Sequence, residues 1–387
     1  MRAAWVVFRK ELVDALRDRR TLAMVLLSSV ALGPLVLVLL STLVSGVERR
    51  AEAREVVVQG LAQAPTLRNY LERQTYVPRE APPDWEAALK ASRLGDPVLR
   101  VPADFEAALA RGDAPVLELF GHAGNQRAQA SLGRIRALLA GFNQEQATLR
   151  LAWRGVAPAL VQAVRVEERD LADPAARAAQ LTTLVPYFML MAVLYGALAA
   201  ALDTMAGERE RGSLEPLLMN PCPRAALVAG KWGAVTAVAM LIALLSAFSF
   251  LPAQGLLRSE TLAALFRFGA AEAAAFVLIV LPLAGALSAV LMALAIRSRS
   301  VKEAQTNAAV VVLAVSLLPL VLVFNQEGEA AWHWWTPALA QVSLMGRVLR
   351  GEAVGLAQAL PPLAVCGGLA ALALWDVARR LARAALA

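Results

Sequence analysis

Cysteine and histidine are nearly missing from this chain: Cys222, Cys366, His122 and His333 are the whole supply in 387 residues. Two distant cysteines give no disulfide framework, and with two scattered histidines they leave no zinc-ligand set. His-Glu-x-x-His, Gly-x-Ser-x-Gly and paired-cysteine patterns are absent, so metal-assisted and serine hydrolysis have no template here. Glu167-Glu168 stand without partner histidines and carry no protease site. Gly230-Lys231 is followed by tryptophan and has no glycine-rich loop before it, which excludes a Walker A cradle and ATP hydrolysis by that route. Aromatic residues are 6% and are not interleaved with basic ones, so the net charge of +7 does not indicate a nucleic-acid partner. Charge is also missing from the centres of the long apolar runs. Ion-coupled carriers keep intramembrane charges because only function justifies their cost, and paired broken helices are lacking too. Both absences argue against a self-energised carrier.

What is abundant is apolar surface: 58% of residues are hydrophobic and the mean hydropathy is +0.54, above the roughly 45–50% of soluble domains. The chain therefore reads as an integral membrane protein, mainly α. A span needs about 20 apolar residues, and six stretches qualify: 21–44, 181–202, 232–251, 272–296, 307–324 and 356–376. The first is too long for a signal-peptide core and is retained as a transmembrane helix. Residues 1–20 differ. Trp5, Phe8, Leu12 and Leu16 recur at helical spacing while Arg9, Lys10, Asp14, Arg17 and Arg20 take other positions, which predicts an interfacial amphipathic helix in the lipid headgroup plane.

Lys and Arg at the span ends set the topology. They gather before the first span (Arg17, Arg19, Arg20), between the second and third (Arg209, Arg211, Arg224, Lys231), between the fourth and fifth (Arg297, Arg299, Lys302) and after the sixth (Arg379, Arg380, Arg383). The opposite loops hold only Arg258 and Arg267, then Arg347 and Arg350. Both termini are expected in the cytoplasm. Residues 45–180, between the first two spans, then lie outside as an extracytoplasmic domain. Strand-like runs (Glu55–Val58, Val98–Val101, Val116–Phe120, Leu160–Val166) alternate there with helical patterns at Asp84–Ser92, Asp104–Ala110 and Ala128–Gly141, with Asp84 and Asp104 as expected N-caps. That alternation predicts a small α/β fold. Trp332, Trp334 and Trp335 cluster before Pro337 as an interfacial or re-entrant helix. Small residues four apart (Ala192, Gly196, Ala200; Gly285, Ala289, Ala293) predict close helix packing.

The segment Gly207-Glu-Arg-Glu-Arg-Gly-Ser-Leu-Glu-Pro-Leu-Leu-Met-Asn-Pro221 joins dense alternating charge to an apolar helix start. It lies between two runs long enough to span, so it belongs at a membrane face. Its leucines have no core of their own and point to a soluble partner.

The chain resembles the permease subunits of type-two ABC exporters, and within them the sodium-exporter permease (NatB-like) branch. Asp203-Thr-Met-Ala-Gly-Glu-Arg-Glu-Arg-Gly-Ser-Leu-Glu-Pro-Leu-Leu218, closed by Pro221-Cys-Pro-Arg224 and Gly230-Lys231, carries most of the likeness. Lys10-Glu-Leu-Val-Asp-Ala-Leu-Arg-Asp-Arg-Arg-Thr21, Val101-Pro-Ala-Asp-Phe-Glu-Ala-Ala-Leu109 and Arg299-Ser-Val-Lys-Glu-Ala-Gln305 add to it in the same order. The resemblance implies a cytoplasmic coupling loop over 203–231 that engages a separate ATPase subunit. In it Gly207 and Gly212 bracket the charged residues Glu208, Arg209, Glu210 and Arg211, which would form complementary ion pairs. Leu214, Leu217 and Leu218 would enter an apolar cleft, with Glu215 and Pro216 at the helix start. It also implies two copies of that ATPase, a second permease subunit as a homodimer, and a multi-pass protein of the bacterial inner membrane in contact with lipid. ATP and Mg²⁺ would bind the partner, with no cofactor on this chain. The alternative is a non-transporting membrane sensor or scaffold with a ligand-binding outer domain.

Overall fold

A computed structural model describes residues 2–18, 23, 27–52, 54–91, 93–121, 126–157, 159, 184–213, 216, 222–259, 263, 266, 268–324 and 330–384. The chain is mainly helical and divides into two compact units, residues 45–170 and the remainder.

The larger unit opens with α1 (Arg2–Arg17), followed by a π-helical turn at Leu27–Ala31 that runs into α2 (Leu32–Glu52). Residues 21, 22 and 24–26 of the first expected span lie outside the described set. Among the described residues five helices are long and apolar enough to cross a membrane, spanning 184–210, 224–254, 270–295, 301–322 and 356–383. They match the second to sixth expected stretches, with ends extended by up to about two turns.

In the smaller unit, β1 (Glu55–Gln59), α3 (Pro65–Arg73), β2 (Val77–Glu80), α4 (Trp85–Lys90), β3 (Val98–Arg100), α5 (Phe105–Arg111), β4 (Glu118–Phe120) and α6 (Gln126–Trp153) follow in turn. The sheet order is β2-β1-β3-β4. Strand β1 runs parallel to β2 and β3, and β4 is antiparallel to β3. Alternation along β1 divides the core, as the period-two pleat requires. Val56 and Val58 pack with Leu67, Leu71, Phe105, Ile135 and Phe142 on one face. Val57 joins Trp85, Leu89 and Val98 on the other. Asp84 and Asp104 stand at the N-cap positions of α4 and α5, but neither side chain makes a capping bond. A different cap is present: the Glu106 carboxylate accepts from Thr66 N at 2.7 Å and Thr66 Oγ1 at 2.8 Å at the start of α3. The strand expected at 160–166, His122 and Glu167-Glu168 lie outside the described residues.

The larger unit continues with α7 (Leu184–Ala201), α8 (Arg224–Gln254), α9 (Ala270–Ala295), α10 (Val301–Leu317), α11 (Leu320–Phe324), α12 (Leu339–Leu349) and α13 (Leu356–Ala384). Helix α8 is central and packs against α1, α7 and α9. Small residues make these approaches possible. A Cβ on Gly196 would lie 3.1 Å from Ala239 Cα across the α7–α8 contact, and the Gly285 carbonyl accepts from Trp232 Nε1 at 2.8 Å across α8–α9. Helices α10 and α13 turn apolar side chains outward, among them Val310, Leu313, Leu363 and Leu372, the pattern of a face meant for lipid or another helix. The tryptophan cluster forms a short 3₁₀ helix, Ala331–Trp335, with Trp332 and Trp335 exposed and His333 buried.

Candidate functional site

Helix α7 does not stop at Ala201. It widens into a π-helical turn at Leu202–Gly207 and tightens again over Glu208–Glu210. Gly212 ends it with φ +67°, a left-handed conformation open to glycine at little cost. Gly212 N donates to Arg209 O at 3.1 Å and Ser213 N to Glu208 O at 3.0 Å, the two bonds of a Schellman stop. The sequence thus presents four consecutive charged residues on a single short turn, and each finds a different partner.

Glu208 points inward. Its Oε2 accepts from Lys231 Nζ at 2.7 Å, and its Oε1 from Lys10 Nζ at 3.2 Å. Glu11 Oε1 accepts from the same two lysines, from Lys231 at 2.9 Å and Lys10 at 3.1 Å. The four groups close a ring of alternating charge contributed by α1, the turn after α7, and α8. Lys231 is fully buried, and the Glu11 and Glu208 side chains are 6% and 8% exposed. Lys231 also donates to Thr204 O in the π turn at 3.2 Å. A buried ammonium needs its donors used, and here its three partners are oxygens of the ring and its supporting turn. Lys10, half-exposed, makes a further ion pair with Asp14 at 3.3 Å. Burial pulls the Lys10 ammonium pKa down, but the Glu11 and Glu208 carboxylates together outweigh it and hold the value above that of an ordinary lysine.

The next three residues bind outward from the ring. Arg209 Nη1 donates to Ile296 O at 3.1 Å and Ser298 O at 3.2 Å, carbonyls of the turn that follows α9. Glu210 Oε2 accepts from Val301 N at 2.8 Å, the first amide of α10. Cation at a C-terminus and anion at an N-terminus both suit the helix dipoles. Ser300 and Glu303 complete the start of α10: Glu303 N donates to Ser300 Oγ at 3.2 Å, and Arg299 N to Glu303 Oε2 at 2.7 Å. Arg211 returns to Asp203 Oδ1 at 3.0 Å. Gly207 is needed beneath this last pair, because a Cβ there would sit 3.0 Å from Asp203 Oδ1 and 3.2 Å from Arg211 Nη2.

Of the residues singled out in the sequence, Gly207, Glu208, Arg209, Glu210, Arg211 and Gly212 come together here. Their charges are engaged by the chain's own helices. Pro216 is exposed, while Leu214, Glu215, Leu217 and Leu218 lie outside the described residues.

Glu11, Lys10 and Lys231 complete the site and were not among those singled out for it. Their signal was present: Glu11 follows Val7 by one helical turn, and Lys231 interrupts an apolar helix directly after a glycine. Of the expected apolar stripe of α1, Phe8 and Leu12 are partly buried. Trp5 and Leu16 are exposed, whereas the sole buried residue of α1 is Glu11. The packed ridge passes over Gly230, where a Cβ would come within 2.7 Å of both Ala4 O and Val7 Cβ, and Gly233, where it would meet Phe8 Cδ2 at 3.2 Å.

Among the described residues no group of three His, Cys, Asp or Glu side chains stands ready for a metal. What the arrangement does join is structure: the turn that begins at Glu208 is bonded to α1, to α8, to the turn after α9 and to the start of α10.

Residues 5–343 match the family described as ABC-2 family transporter protein. The chain is also similar to the ABC transporter permease protein NatB of Bacillus subtilis (strain 168), with 26% identity over 324 residues, 83% of this chain and 82% of that protein.

Proposed function

The chain belongs to the ABC-2 family of transporter proteins, and on that footing we propose that it is the membrane-spanning permease subunit of an ATP-driven exporter. The observation that carries the proposal is the charged junction. A segment placed between two membrane-crossing helices, and bonded at its start to the second of them and to three other elements, is built to receive force and distribute it. Force must come from outside, because the chain has no phosphate-binding loop. A separate ATPase subunit holding ATP and Mg²⁺ supplies it, two copies working on a permease homodimer.

In this reading Leu214, Leu217 and Leu218 enter a cleft of the ATPase, with Glu215 and Pro216 setting the start of the contacting helix. Glu208 through Arg211 pass the displacement into the bundle. The junction brings α1, the 208–213 turn, the start of α8 and the α9–α10 turn to one end, in line with the charge bias that puts these segments in the cytoplasm of a bacterial inner-membrane protein. Residues 45–170 then form the extracytoplasmic domain, and 21–44 supplies a sixth span.

Sodium is the substrate to test first, on the resemblance to the sodium-exporter branch. Among the described residues the buried hydroxyls of Thr236, Ser288 and Ser343 have no hydrogen-bond partner, and hydroxyl and carbonyl oxygens are the ligands a hard cation would use there.

Replacing Leu217 and Leu218 together with aspartate is expected to abolish co-purification with the cognate ATPase while leaving membrane insertion intact. An unchanged yield of complex would remove the coupling assignment. ATP-dependent ²²Na⁺ flux in vesicles holding both subunits tests the substrate, and its absence with every candidate solute would favour the sensor or scaffold alternative.

A further inference from the structure

Two hollows adjoin along α1. The first, about 340 Å³, lies between α1 and the start of α8, and Ala3, Val6, Val7, Leu227 and Cys222 line it. Lys10 and Glu11 also border it, with their charged ends committed to the ring. The second, about 450 Å³, runs along the outer side of α1 past Trp5, Val6, Arg9, Lys10, Val13 and Arg17, with Asp14 at its edge. Val6 and Lys10 belong to both, so an apolar slot passes directly into a cationic groove. Among the described residues, neither Arg9 nor Arg17 is paired with a carboxylate.

Position narrows what could fill this pair. Helix α8 is 31 residues long, about 46 Å at 1.5 Å per residue, against a hydrocarbon core of roughly 30 Å. Its first turns, where Leu227 lies, therefore fall at the edge of the bilayer. Trp5 beside the groove is 64% exposed, as tryptophan is at that depth. The molecules found there have an apolar chain joined to a polar head, and the unpaired arginines select an anionic one. We propose that the joined hollows hold one anionic phospholipid, with an acyl chain in the slot and its phosphate against Arg9, to which Arg17 adds its charge. The site rests on the membrane placement of the chain and is independent of ATPase coupling.

The chain carries its own reporter. Cys222 lines the slot and is partly exposed, while the other thiol, Cys366, is buried. The full-length protein would be placed in nanodiscs of phosphatidylcholine alone or with increasing phosphatidylglycerol, and alkylation of Cys222 by a water-soluble maleimide followed. Phosphatidylglycerol is expected to slow the reaction saturably. In Arg9→Gln/Arg17→Gln, substitutions on an exposed face, the affinity for phosphatidylglycerol read from the protection curve should weaken about 30-fold, at roughly fivefold per cationic side chain near an anionic surface. As a second measurement, phosphatidylglycerol retained through delipidation of the purified protein should fall in the same variant. Equal alkylation in both disc types would overturn the proposal, as would protection or retention unaffected by losing both arginines. Protection in neutral discs on adding a soluble protein fraction would overturn it too, assigning the hollows to a protein partner.

Discussion

Lys231→Met should destabilise the folded chain more than any other single change at the junction. The substitution keeps length and apolar volume but removes a fully buried cation that bridges two carboxylates at 2.9 and 2.7 Å. Breaking a buried ion pair by deleting one partner costs about 3–5 kcal/mol, because the remaining charge is left uncompensated. Here Lys10 still reaches Glu11 at 3.1 Å and Glu208 at 3.2 Å, and its half-exposed amine brings solvent to them. The expected loss is therefore at the lower end, about 3 kcal/mol. Thermal unfolding in nanodiscs, followed by tryptophan fluorescence, should show a drop of about 5–10 °C. The decisive comparison is Lys231→Met/Glu208→Gln, which removes one charge of each sign and leaves Lys10 paired with Glu11. If charge balance is what the ring provides, the double variant melts above the single one despite carrying more changes. A Lys231→Met midpoint within about a degree of wild type would refute the reasoning. A double variant melting below the single one would refute it equally.

Gly230→Ala and Gly233→Ala test how closely α1 must sit. The first places a methyl 2.7 Å from a backbone carbonyl, the second 3.2 Å from the edge of a phenylalanine ring that can turn aside. Gly230→Ala should therefore free α1 and speed alkylation of Cys222, whereas Gly233→Ala should leave the rate near wild type. Stability against pH should show the Lys10 contribution. The folded-state pKa lies above the ordinary 10.5, so its stabilising contribution is complete below 10.5 and is lost as pH climbs through the folded value. Lys10→Met should flatten that alkaline loss, and a melting profile identical to wild type above pH 10 would exclude the pairing.

The helices were legible because a long apolar run permits few alternatives. The second to sixth spans are found where hydropathy places them, and Ala192, Gly196, Gly285 and Ala289 are at helix contacts as their spacing indicated. The strands at 55, 98 and 118 were legible for a similar reason, being short β-branched or alternating runs bounded by turns. The charged segment was harder. Alternating acid and base in sequence says that partners exist, not where they are. A partner 197 positions earlier in the chain, Glu208 to Glu11 through Lys231 and Lys10, leaves no local periodicity to detect. On α1, hydropathy marked the stripe suited to the interface, where Trp5 and Leu16 are exposed, but gave no sign that the slimmer Ala4–Val7 ridge packs onto Gly230 with Glu11 buried beyond it.

A ring of buried charge is a poor choice if the aim is only to hold helices together, since well-packed apolar side chains of like volume do so at least as well. What the ring adds is intolerance of partial states. Each carboxylate has both lysines as partners and each lysine both carboxylates, so moving any one element exposes an unmatched charge on the others. Apolar contacts would yield by degrees, letting the 208–213 turn slide while α1 and α8 stayed behind. The ring makes that slippage costly and so favours joint movement. Arg209 on the carbonyls ending α9 and Glu210 on the amide opening α10 extend the same constraint to the next helical hairpin. The segment that looked in sequence like a docking element is, at its charged half, the hub to which the membrane helices are tied. In the proposed function, contact with a motor falls to the apolar half that follows, which is why Leu217 and Leu218, and not Glu208, are the residues to change when the partner is to be lost and the fold kept.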